Sequence, residues 1–169
     1  MDNTFSDGSG TEGISIGPLR NGEAEQCERL LRSLPDWFGI EQSILDYRKA
    51  IERFDTAVAR SAEKLVGFIT VRIHTRFAAE IVVMAVAREF QHRGVGRALV
   101  AHAETKLAGN SIEYLQVKTL GPSHQDDSYG MTRRFYSSLG FRPLEETQAF
   151  WGKANPCLIM VKRLAFSVS

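Results

Sequence analysis

The chain has 169 residues, 43% of them hydrophobic and 24% charged, the proportions of a globular protein large enough to bury a sizeable core without disulfide or metal staples. Twenty-one Lys and Arg against 20 Asp and Glu leave a formal charge of +1, too small an excess for binding nucleic acid through its phosphates. The longest uncharged apolar run, residues 81–87, is too short to cross a bilayer.

Residues 1–13 are rich in Gly, Ser, Thr and Asp and have little to bury, so they are expected to be a flexible leader. With Asp2, Asp7, Glu12 and no Lys or Arg, this segment is unlike a secretory signal. One domain is expected from residue 14 to residue 169. A short strand over 14–19 leads to Asn21 as N-cap. Ala24, Cys27, Leu30, Leu31 and Leu34 then recur at helical spacing until Pro35, and Ile40, Ile44, Tyr47, Ile51 and Phe54 mark a second amphipathic helix. Strands follow over 56–60, 65–75 and 80–86 as an antiparallel meander. A helix over 94–108 stops at Gly109-Asn110, a strand over 112–118 comes next, then a helix over 129–139 and a closing strand over 157–164. This order describes a mixed α/β fold, a central sheet with helices on both faces and a right-handed crossover from Glu80 to Lys118. Cys27 and Cys157 match no zinc or redox spacing, so no metal is expected, and free thiols in a reducing cytoplasm are.

The stretch Gln91-His-Arg-Gly-Val-Gly-Arg-Ala98 lies between a strand and a helix. The first turn of a helix has unpaired N–H groups and the positive end of the macrodipole, and glycine lets a phosphate approach that backbone closely. A dinucleotide fingerprint would need Gly or Ala where Leu99 stands, and a P-loop would need Lys-Ser/Thr after Gly96, where Arg97-Ala98 stands.

Gln-x-x-Gly-x-Gly after Met84-Ala-Val-Ala-Arg-Glu-Phe90, with Phe135-Tyr-Ser-Ser-Leu-Gly-Phe141 further on, resembles the GNAT superfamily of acyl-CoA-dependent N-acyltransferases over most of residues 14–164. Residues 34–39 with 118–122 resemble a recurrent bacterial branch of it, which implies no substrate. The resemblance implies a mostly antiparallel sheet splayed at the cofactor-binding strand. It implies that acetyl-CoA is the cofactor, its pyrophosphate held by the backbone of Gln91, His92, Arg93, Gly94, Val95, Gly96 and Arg97. Its pantetheine would pair with Met84, Ala85 and Val86, whose side chains are expected to be core, and a backbone N–H near Ala85 would face the thioester oxygen. Tyr136 matches the position that protonates the departing thiolate, so the rate should fall as its phenol ionises at alkaline pH. Where the family often has an Asn this chain has Tyr129, so that cofactor contact falls to Ser128 or another neighbour, with Thr132 and Arg133 as further candidates.

The general base is left open among Glu80, His124, Asp126, Asp127 and a water chain. Trp37, Phe38 and Trp151, in the segments that frame the acceptor in this architecture, are the candidate substrate residues, aromatic walls suited to a small ligand or a cation, with packing as the alternative for Trp37 and Phe38. The implied function is acetyl transfer from acetyl-CoA to a small-molecule primary amine. Acetylation of a protein N-terminus, a lysine or aminoacyl-tRNA, and a non-catalytic acyl-CoA-binding module, are the alternatives. No membrane partner is expected, and the family also allows a homodimer.

Overall fold

A computed structural model describes residues 13–165, so the expected leader lies, apart from Gly13, outside the described residues. The strands are β1 (Ile14–Pro18), β2 (Asp55–Ser61), β3 (Lys64–Ile73), β4 (Ala78–Val86), β5 (Tyr114–Leu120), β6 (Arg142–Thr147) and β7 (Cys157–Arg163). The helices are α1 (Glu23–Arg32), α2 (Glu41–Arg53), α3 (Val95–Gly109) and α4 (Asp127–Ser138), with one 3-10 turn over Arg88–Phe90. The strand order is β1-β2-β3-β4-β5-β7-β6. Antiparallel pairs join β1 to β2, β2 to β3, β5 to β7 and β6 to β7, and β4 runs parallel to β5. This is the mixed, mostly antiparallel sheet expected. The β4–β5 register covers Ala78–Ile81 against Tyr114–Val117, while β4 itself continues to Val86.

The chain divides into two compact units, residues 13–72 with 82–106, and residues 73–81 with 107–165. The core of the first is Cys27, Leu31, Leu34 and Ile51 of the helical segment, Val58 and Phe68 of the strands, and Val83, Ala85 and Ala87 at the end of β4. The period-2 alternation of a strand turns Val82, Met84 and Val86 to the other face, where they are half-buried. The expectation that all three cofactor-facing side chains are core thus holds for Ala85 and is corrected for Met84 and Val86.

The expected Asn21 cap is replaced by Gly22, whose φ of 82° is a conformation glycine adopts without strain. No side chain caps α1; the Glu23 carboxylate in its first turn instead accepts the Arg20 amide, ahead of the helix, at 2.6 Å. Glu23 also takes a two-pronged bond from Arg60, at 2.7 Å from Nε and 2.5 Å from Nη2, and both side chains are buried. Removing one partner of such a pair strands the other charge in the core, so Glu23→Ala is expected to cost about 3–5 kcal/mol in a urea melt. Burial pushes the Glu23 carboxyl up, yet the bonds from Arg60 and the Arg20 amide outweigh it and hold it below its ordinary value. A lowered folded-state pKa means the pair stabilises above the ordinary Glu value of about 4.3 and fails as pH falls through the folded value. The acid-induced fall in Tm should therefore be shallower in Glu23→Ala than in the parent.

In the second unit β7 lies between β5 and β6, with Lys118 opposite Ile159 and Leu120 opposite Cys157. The expected strand over 112–118 begins two residues later, because Ser111 (φ 60°) and Ile112 belong to the turn that closes α3, Ile112 donating to the Leu107 carbonyl at 3.0 Å. β6 was not expected from the sequence. Every residue from Arg142 to Glu146 is exposed, and the register shifts between Pro143 and Glu145. An edge strand with a proline at a bulge carries no apolar alternation to read. Cys27 and Cys157 are free and buried, as expected. Burial raises the Cys27 thiol to about 12, so the folded protein should resist thiol-directed alkylation there at pH 8 and react on unfolding.

Candidate functional site

In the first unit β4 ends at Val86, the Ala87 amide donates to the Val66 carbonyl at 2.8 Å, and the Arg88–Phe90 turn leads to Gln91. The Gln91 side-chain amide reaches back 3.0 Å to the Val86 carbonyl and ties the loop to the end of the strand. His92 (φ 59°) and Gly94 (φ 83°) are left-handed and Arg93 between them is not. Such alternation turns successive amides toward one concavity, an anion-binding nest, here immediately before the N-terminus of α3 at Val95. His92, Arg93, Gly94 and Arg97 are exposed and Val95 is buried. The Arg93 guanidinium lies 5.6 Å from the Phe90 ring centroid.

Trp37 and Phe38 pack on the core of this unit. Arg88 lies 5.9 Å over the Trp37 ring and donates to Asp36 at 2.9 Å, and Phe38 meets Tyr47 edge-on at 5.9 Å. Packing accounts for both rings.

In the second unit Glu80 is buried on β4 with both oxygens occupied. Oε1 receives Lys118 Nζ at 2.9 Å, and Oε2 meets His74 Nε2 at 2.6 Å. Burial pushes its carboxyl up, but these two partners outweigh burial and hold it below the ordinary value. Lys118 also lies 4.8 Å from the centroid of the Phe150 ring, and Phe150 is 54% exposed. Trp151, the next residue in the sequence and the one expected to meet substrate, is also exposed.

Tyr136 is buried on α4, its ring edge-on to Phe135 at 5.2 Å and to Phe141 at 5.4 Å, and burial pushes its phenol well up. Tyr129 and Thr132, earlier on α4, are half-buried, the Thr132 hydroxyl donating to the Ser128 carbonyl at 3.2 Å. Arg133 donates to the Leu120 carbonyl at 2.7 Å. Of the other base candidates, Asp126 caps α4 by accepting the Tyr129 amide at 3.1 Å, Asp127 is exposed in the first turn, and His124 has a buried Nδ1 with no partner among the described residues.

The sequence pattern described as the Acetyltransferase (GNAT) domain matches residues 52–143, more than half of the chain. The chain belongs to the GNAT acetyltransferase family. An uncharacterized N-acetyltransferase of Chlorobaculum tepidum is 27% identical over 106 residues, a match covering 61% of each chain, so this GNAT chain matches less than two thirds of that relative's length. The ribosomal-protein-S18-alanine N-acetyltransferase of Escherichia coli shares the fold with a TM-score of 0.74 at 16% identity, over 91% of this chain and 96% of that one. An aminoglycoside 6'-N-acetyltransferase complexed with coenzyme A does so with a TM-score of 0.71 at 18% identity, over 91% and 99%. No helix among the described residues is long and apolar enough to cross a membrane, and none of their His, Cys, Asp and Glu side chains form a metal-binding group.

Sequence reading of this GNAT chain missed His74, Lys118 and Phe150 around Glu80. Lys118 was accessible in principle. Glu80 pairs with Gln116, and the residue two places along β5 shares its face. His74 reaches Glu80 across the turn between β3 and β4, and no periodicity marks such a contact.

Proposed function

We propose that this GNAT chain is an acetyl-CoA-dependent N-acetyltransferase whose acceptor is the primary amine of a small molecule, acting through residues 14–169 as one domain in the cytoplasm. Its buried free thiols suit a reducing compartment. The observation that carries the reading is the His92–Gly94 nest at the N-terminus of α3, in a chain of the acetyltransferase family.

The residues fit coenzyme A. The amides of the 92–97 loop offer donors and the helix dipole to its pyrophosphate, with the exposed Arg93 and Arg97 adding charge. The Met84–Val86 backbone serves the pantetheine, and Tyr129 and Thr132 serve the cofactor from α4. When bound, the cofactor supplies an activated acetyl group as a thioester. The Ala85 region stabilises negative charge on the carbonyl oxygen through backbone N–H. Tyr136, kept neutral by burial, gives its proton to the departing sulfur.

For the acceptor, the exposed rings of Phe150 and its sequence neighbour Trp151, the former against the Lys118 that is bonded to Glu80, suit a cationic amine with an apolar body. Trp37 and Phe38 pack on the core of their own unit. The test is calorimetric titration with acetyl-CoA followed by thiol release with a panel of small amines. Saturable binding and amine-dependent thiol release are expected. Release only with peptides or aminoacyl-tRNA would replace the acceptor class, and binding without any release would make the chain an acyl-CoA-binding module.

A further inference from the structure

We propose that His74 takes the proton of the incoming amine on Nδ1, with Glu80 as the group that orients it and Lys118 as the clamp that keeps Glu80 an anion. The proposal names a base for the acetyl-transfer reaction above and rests on that reading. Each Glu80 oxygen already faces a nitrogen, Lys118 Nζ at 2.9 Å on one and His74 Nε2 at 2.6 Å on the other. Protonating Glu80 would leave the Lys118 ammonium without its counter-charge in a site where the two side chains are only 11% and 21% exposed. Glu80 is therefore a good anion and a poor base.

His74 has the complementary properties. A neutral imidazole that donates Nε2–H to a carboxylate holds its lone pair on Nδ1, so the 2.6 Å contact selects the basic atom. The imidazolium formed on proton uptake has its counter-charge in the Glu80 carboxylate, 2.6 Å from Nε2. The other charged groups around it do not cancel this. Lys118 is bonded to Glu80, Cys157 is a thiol kept neutral by burial, Arg76 lies over Phe77 at 4.4 Å, and Arg72 lies over Phe54 at 5.4 Å.

The step balances. An ammonium gives one proton to His74 Nδ1, and the freed nitrogen lone pair bonds to the thioester carbon. The C–S bond breaks with its electrons on sulfur, the thiolate takes the Tyr136 proton, and the second proton lost by nitrogen restores the phenol. His74 then releases its proton to solvent.

The test is a pH profile of kcat/KM from pH 5.5 to 9 with an accepted amine, for the parent, His74→Gln and His74→Ala. Glutamine keeps a donor toward Glu80 but has no titratable lone pair. The expected result is a loss of about 10²-fold in His74→Gln at neutral pH with the acidic limb gone, the Kd for acetyl-CoA unchanged, and partial rescue of His74→Ala by added imidazole. Long-range nitrogen NMR of the parent, with His74 assigned by its loss in His74→Gln, should show the Nε2–H tautomer, a readout independent of turnover. Parent-like kcat/KM and limb in His74→Gln, or an Nδ1–H tautomer, would overturn the proposal. A parent that binds acetyl-CoA and acetylates no amine overturns instead the acetyl-transfer reading on which the proposal rests, and the two failures are told apart by the parent's own activity.

Discussion

Replacing Gly96 by leucine will raise the Kd for acetyl-CoA at least tenfold, about 1.4 kcal/mol. Gly96 lies in the first turn of α3, one residue after Val95, where a pyrophosphate must come close to the amides and an isobutyl group would stand in its way. The substitution discriminates well because leucine is the better helix former by about 0.8–1 kcal/mol. The variant should melt no lower than the parent, so weaker binding will report the blocked approach and not a damaged helix. Gly94 is a less clean choice. Its φ of 83° would strain any side chain, so binding and folding would both suffer. Calorimetry with acetyl-CoA decides the matter, and an unchanged Kd in a folded Gly96→Leu would remove the loop from the cofactor site.

Tyr136→Phe will lower kcat by about 10² and leave the Kd for acetyl-CoA nearly unchanged. The ring is held edge-on by Phe135 and Phe141, and phenylalanine keeps those contacts, so a residue present for packing would lose little. The pH dependence differs from that expected from the sequence. Burial disfavours the phenolate and pushes the phenol up, so the proton is retained beyond the ordinary value of about 10. The alkaline fall expected from Tyr136 ionisation moves out of the working range. The parent and the Phe variant should give parallel profiles to pH 9.5, offset by the constant loss in kcat. A variant with parent-like kcat would assign proton delivery to another group.

What was legible in the sequence followed the strength of periodic burial. The apolar spacing of Cys27, Leu31 and Leu34, the strand containing Phe68 and the Gly-rich stretch before α3 each correspond to an element or turn where expected. β6 escaped because an edge strand of exposed residues has no face to bury. Asn21 looked like a cap because capping is local chemistry, yet Glu23 took the Arg20 amide from inside the first turn. The loop that meets a phosphate was readable because it is contiguous and its glycines have a steric reason. The cluster at Glu80 was not, because His74 and Lys118 reach it through a turn and across neighbouring strands, and side-chain partners brought together by register leave no mark on spacing. Phe150 and Trp151 are adjacent in sequence, and only the structure distinguishes the ring that faces Lys118.

The most direct test of the account is a single coupled assay. Purified protein is mixed with acetyl-CoA and each member of a panel of small primary amines, free thiol is followed with time, and product mass is recorded. The account predicts amine-dependent thiol release with a matching gain of one acetyl group on the amine, abolished to background when acetyl-CoA is omitted. Thiol release at the same rate with and without every amine, and no acetylated product, would contradict it.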